Sequence, residues 1–121
     1  MDTADLNLVL AAVLPDDALH ERAEAHLQRG PRLLVPFSVG IELLLVCGRF
    51  GLPRKEALGL VEERFDVERP EVLYSAARSL DLGKMTTTFD AVHLADALHR
   101  RGALHTADQR LLDSPWPTVP F

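Results

Sequence analysis

The chain has 121 residues, 47% of them hydrophobic and 26% charged, and a formal net charge of −5. That length and balance describe one globular domain with one core and exclude a mainly disordered chain. A single cysteine excludes an intrachain disulfide, and Cys47, set in an apolar run, reads as a small core residue in a reducing compartment. Residues 3–7 (TADLN) predict a short strand with a polar end. Leu8 to Leu14 reads as a short helix stopped by Pro15. Asp16 or Asp17 caps a second helix to about Gln28, which Gly30-Pro31 ends. Residues 32–36 (RLLVP) predict a buried strand. Ser38 then caps a strongly apolar helix from Val39 to about Phe50, closed by Gly51. A helix follows Pro53 and runs to Arg64, and residues 65–67 predict a short strand. Pro70 opens a helix to about Leu82. The glycine and threonine loop Gly83 to Thr88 leads into a helix from Phe89 to Arg101, capped by Gly102. Residues 103–106 predict a strand, Gln109 to Leu112 a short helix, and residues 117–120 an edge strand, because Pro117 and Pro120 cannot sit in a central ladder.

Short apolar strands alternating with helices predict a three-layer α/β/α sandwich, with a short, mostly parallel central sheet in one domain spanning residues 1–121. Ligands in such sheets bind beyond the carboxyl ends of the strands. The amino terminus carries Asp2 and Asp5 where a secretory signal needs positive charge, and the apolar stretch Val39 to Cys47 is too short to span a bilayer. The expected location is the cytoplasm. Net acidity argues against avid nonspecific binding of nucleic acid, unless many of the acids form one cation site. Arg22, Arg29, Arg32, Arg49, Arg54, Lys55, Arg100 and Arg101 are available for a basic rim around such a site.

Four carboxylates stand out. Asp5 lies at the predicted carboxyl end of the first strand, where a helix cap is the bland alternative. Glu42 has Val39, Leu45 and Val46 as helical neighbours. A carboxylate on an apolar face is costly unless it is paired with an arginine or binds metal. Asp90 sits in the first turn of its helix, and Thr87 three residues earlier makes a capping-box-like arrangement. Asp108 follows the strand 103–106 and equally suits the cap of the helix at Gln109. A parallel sheet brings strand ends together. Carboxylates gathered there repel unless a cation joins them, and oxygen-only ligands favour Mg²⁺ or Mn²⁺.

The segment Asp5-Leu6-Asn7-Leu8-Val9-Leu10-Ala11 resembles the opening motif of PIN-domain ribonucleases, particularly the VapC-type toxins of toxin–antitoxin pairs. Leu14-Pro15-Asp16-Asp17 through His20-Glu21-Arg22-Ala23 is similar to the segment that follows there. Pro36 through Glu42-Leu43-Leu44 resembles the stretch with that family's glutamate, Phe89-Asp90-Ala91-Val92-His93-Leu94-Ala95 the segment with its third acid, and Thr106-Ala107-Asp108 its last motif. The ordered set covers essentially the whole chain. The first strand departs from the family, being short and polar where an apolar run is usual. The resemblance implies a metal-dependent endoribonuclease with Asp5, Glu42, Asp90 and Asp108 as catalytic metal ligands and with Asn7 and Thr106 supporting them by hydrogen bonds. It also implies Mg²⁺ or Mn²⁺ as cofactor, RNA as substrate, a homodimer, and a cognate antitoxin.

Two other readings stand beside it. One is a PIN-like binding module without activity. The other is a phosphoryl-transfer α/β protein, for which Asp5-Leu6-Asn7 is faintly suggestive but no lysine falls at a strand end. His93 reads as a packed core histidine, Asp96 as a solvated acid and His105 as structural. Trp116 and Phe121 serve either to anchor the tail or to make a dimer contact. No HExxH helix, GxGxxG, Walker A loop or nucleophile elbow occurs.

Overall fold

In the computed structural model, which describes residues 1–85 and 87–121, helix dominates. The described residues form seven helices and four strands, each strand only two or three residues long. In chain order the elements are α1 (Leu6–Val13), α2 (His20–Arg29), β1 (Leu34–Val35), α3 (Phe37–Phe50), α4 (Arg54–Arg64), β2 (Asp66–Val67), α5 (Pro70–Asp81), α6 (Thr88–His99), β3 (Leu104–Thr106), α7 (Gln109–Leu112) and β4 (Thr118–Pro120). Apart from the expected first strand over residues 3–7, each expected helix and strand has a counterpart. The expected three-layer sandwich around a central sheet does not. Among the described residues, the strands form two separate two-stranded parallel sheets, β1 with β2 and β3 with β4.

Prolines and caps explain the loss of sheet. Pro31 and Pro36 bracket β1, and Pro70 stands three residues beyond β2. Proline offers no N–H to a ladder. The expected first strand over residues 3–7 is overtaken by α1. Asp5 caps that helix, so only residues next to Thr3 are left extended, and Thr3 makes an isolated parallel bridge to Leu34. Leu34 N–H donates to Asp2 O at 2.9 Å, and Ala4 N–H donates to Leu34 O at 2.8 Å.

The chain divides into two compact units, Met1–Arg69 and Pro70–Phe121. In the first, α3 buries Val39, Gly40, Leu43, Leu44 and Cys47, a stripe recurring every three to four residues. Val9, Ala11 and Ala12 of α1 and Ala57, Leu58 and Val61 of α4 are buried with it, as is Phe65. Arginines tie the frame together. Arg32 pairs with Asp66 at 2.8 Å and donates to the carbonyls of Glu62, Glu63 and Phe65, closing the carboxyl end of α4 where carbonyls lack helical partners. Arg54 Nε donates to Leu44 O at 3.0 Å. Its guanidinium lies 2.6 Å from where a Cβ on Gly48 would stand, so the glycine lets it approach α3. Arg64 meets Glu24 of α2 through two contacts of 2.5 and 3.0 Å.

Two expected caps are corrected here. Helix α3 begins at Phe37 rather than after Ser38, because Glu68 accepts the Phe37 N–H at 2.8 Å and supplies the cap from β2's far end. Asp17 accepts from Leu19 N–H at 2.9 Å, one residue ahead of α2. Gly51 ends α3 as expected, with φ +66° and its N–H on Cys47 O.

In the second unit α5 packs on α6. Val72, Leu73, Ala76, Ala77 and Leu80 are buried on one helix, and Ala91, Val92, Leu94 and Ala95 on the other. The four alanines let the helix axes approach closely. Strand β3 pairs with β4 in the register Leu104↔Thr118, His105↔Val119 and Thr106↔Pro120, so the proline-containing tail is an edge strand as expected. Thr86, in the loop expected over Gly83 to Thr88, lies outside the described residues.

Candidate functional site

Two of the four predicted acids come together within the unit Pro70–Phe121. Asp90 lies in the first turn of α6, and the Thr87 hydroxyl, at the cap position, donates to Asp90 Oδ2. The contact joins the two side chains directly, and the Thr87 side chain makes no capping bond to the helix backbone, so the expected capping box is not formed. Asp108 is the N-cap of α7, its Oδ1 accepting from Arg110 N–H at 2.9 Å. Thr106 Oγ1 accepts from Asp108 N–H at 3.0 Å and so fixes the turn that presents the acid.

Arg110 joins the two acids. One guanidinium nitrogen lies 3.2 Å from Asp108 Oδ2 and 3.5 Å from Asp90 Oδ2. The Arg110 side chain holds the Asp108 carboxyl below the usual carboxylate range, with its backbone N–H adding to the effect. Asp108 in turn raises the pKa of Arg110. Two carboxylates against one guanidinium leave this cluster formally negative. Its carboxylate oxygens are hard donors, of the kind Mg²⁺ and Mn²⁺ prefer, but only two acids meet and both face Arg110. Within neither unit do three or more His, Cys, Asp or Glu side chains among the described residues form a group able to hold a metal ion.

Sequence reasoning missed Arg110. The available signal was local: a helix of four residues begins at a capping aspartate, and its second residue is a cation within reach of that carboxylate.

The other two acids belong to the unit Met1–Arg69. Asp5 caps α1, its exposed carboxylate accepting from Leu8 N–H at 2.9 Å. Asn7 is exposed in the first turn of the same helix rather than following a strand. Glu42 is also exposed, so the expectation that it lies on a buried apolar face is not met. The buried stripe of α3 runs through Val39, Leu43 and Cys47. Glu42 falls about 100° from Leu43 around the helix, beyond the edge of that stripe.

The weaker expectations sort in the same way. His93 is exposed with its ring against Phe89, at 6.4 Å between centroids, rather than packed in the core. Asp96 pairs with Arg100 at 2.9 Å. Cys47 is buried as expected. Trp116 lines a small cavity with Ser75, Leu94 and Leu98, and Phe121 is 86% exposed. Of the expected basic rim, Arg32, Arg54 and Arg100 are engaged in structural contacts. No helix among the described residues is long and apolar enough to cross a membrane. No protein-family model, curated protein or solved structure matches the chain.

Proposed function

We propose that this chain is a Mg²⁺- or Mn²⁺-dependent endoribonuclease, the toxin component of a type II toxin–antitoxin pair. It would act in the cytoplasm as a homodimer and be held in check by its antitoxin. The observation that carries the reading is the convergence of Asp90 and Asp108 on one cation, Arg110. Acids at the starts of two different helices, eighteen positions apart, are drawn to one place and share one positive charge. Both belong to the ordered set of motifs that resembles the PIN-domain ribonucleases.

In this reading Asp90 and Asp108 would hold the metal, and Asp5 and Glu42 are catalytic acids by the resemblance alone. A metal held there would supply activation of water and neutralisation of charge at the scissile phosphate. Thr87 and Thr106 keep the two aspartates aimed, through the hydroxyl contact to Asp90 and the bond to Asp108 N–H. Arg110 neutralises part of the acid cluster and orients the Asp108 carboxylate.

The test is cleavage of single-stranded RNA with Mg²⁺ by the wild type and by Asp5→Asn and Asp90→Asn. The expected loss in each variant is at least about a thousandfold, equivalent to about 4 kcal/mol of barrier, with an unchanged thermal unfolding midpoint. Undiminished cleavage by both variants would sink the site assignment. Expression of the wild type is expected to arrest growth, and Asp90→Asn to relieve the arrest.

A second reading draws on Arg110 itself. A guanidinium already between the two acids suits a PIN-like binding module that needs no metal. That reading expects no Mn²⁺ binding by calorimetry and no cleavage by the wild type.

A further inference from the structure

A groove of about 610 Å³ runs between α1 and α2, wholly within the unit Met1–Arg69. Asn7, Leu8 and Ala11 of α1 form one wall. Arg22, His26 and Arg29 of α2 stand on the other. The three basic side chains fall at i, i+4 and i+7, so they share one face of the helix, spaced about 6 and then about 4.5 Å along its axis. The walls are fixed to each other, since the His20 Nδ1–H donates to Ala11 O at 2.7 Å.

The charge in this groove runs against the rest of the molecule. The chain as a whole carries −5, yet no carboxylate lines the groove. Glu24, on the same helix, is turned to Arg64 of α4. Asp2 lines the smaller groove that adjoins at His26 and Arg29. Among the described residues, neither Arg22 nor Arg29 is within salt-bridge distance of a carboxylate, and both are exposed. In the same unit Arg32 and Arg54 are instead bound into the frame. Two free guanidinium groups in a row over an apolar floor suit a polyanion with flat apolar faces. Phosphates would meet the cations, and bases would lie on Leu8 and the guanidinium planes.

The groove also connects to the acid predicted for chemistry. Asn7, at its end, is two residues from Asp5 in the first turn of α1. We infer that the groove between α1 and α2 holds a stretch of single-stranded RNA, with Arg22 and Arg29 on its phosphates. This inference rests on the ribonuclease reading.

The experiment measures binding of a fluorescent twelve-nucleotide single-stranded RNA, in EDTA so that cleavage does not intrude, across a series of salt concentrations. Arg22→Gln/Arg29→Gln is expected to weaken binding about tenfold. It should also flatten the slope of log affinity against log salt by about 1.4, the value for two lost phosphate contacts on a single strand. Arg78→Gln, on α5, serves as the control for loss of charge alone, and thermal unfolding of every variant checks the fold. Wild-type binding with no change in the double variant, or an equal loss in Arg78→Gln, overturns the groove assignment and leaves the ribonuclease reading standing. A groove that takes an acidic peptide in preference to RNA overturns it as well. Wild-type protein that neither binds nor cleaves RNA overturns both readings.

Discussion

The unit Met1–Arg69 and the unit Pro70–Phe121 use arginine differently. In the first, Arg32 and Arg54 reach backbone carbonyls, and Arg64 locks onto Glu24, while the predicted site acids Asp5 and Glu42 are exposed. In the second, Arg110 spans two predicted site acids, Asp90 and Asp108. A guanidinium follows the nearest unsatisfied oxygens. In the first unit these include carbonyls of α3 and of the end of α4 beside the carboxylates of Asp66 and Glu24, and in the second they are carboxylates at the starts of α6 and α7.

The strongest way to probe the comparison is to open each core. Leu44→Ala and Leu73→Ala each remove a side chain with no exposed surface, and each is expected to cost about 3 kcal/mol in urea unfolding. Hydrogen exchange then reads whether protection falls mainly in α3 and α4 for the first and in α5 and α6 for the second. Uniform loss in both variants would show that the two units unfold as one.

A smaller effect is expected from Arg32→Ala. It leaves the carbonyls of Glu62, Glu63 and Phe65 without their donor, and should lower stability by about 1–2 kcal/mol given the partial exposure of the site. A value near zero would mean that water replaces the guanidinium fully.

The smallest effect is the sharpest. Arg110→Gln should leave stability nearly unchanged while the Asp108 carboxyl titrates closer to the usual range, followed by carboxyl-carbon NMR. The sign is fixed by linkage. Asp108 and Glu24 both have depressed folded-state values, so the unfolded chain binds more protons in the acid range. Their contribution is present above the unfolded-state values and is lost as pH falls through the folded-state ones. Arg110→Gln and Arg64→Gln should therefore narrow the difference in stability between neutral pH and pH below about 4, each in its own unit. An unaltered acid limb in either variant would remove that ion pair from the account.

Much of the local structure was legible in the residues. Asp5 and Asp108 are caps, Thr87 and Asp90 interact across a first turn, and Gly51 ends α3, because each of these features depends on neighbours within four positions. The face of Glu42 was not legible in the same way. Its neighbours Leu45 and Val46 are apolar but only half-buried, so apolar flanks did not report a buried face. The cap of α3 was equally out of reach, since Glu68 comes from thirty-one residues away.

The sequence alone determined which segments are helical, that the single cysteine is buried, and which acids stand at helix starts. Backbone hydrogen bonds close over three or four residues, and that range is written in the local pattern. Tertiary structure decided the rest. It reduced the expected central sheet to two short parallel pairs, because caps and prolines left too few extended residues to build one. It turned Glu42 outward, and it placed Arg110 between Asp90 and Asp108, a meeting of α6 with α7 that no local pattern encodes.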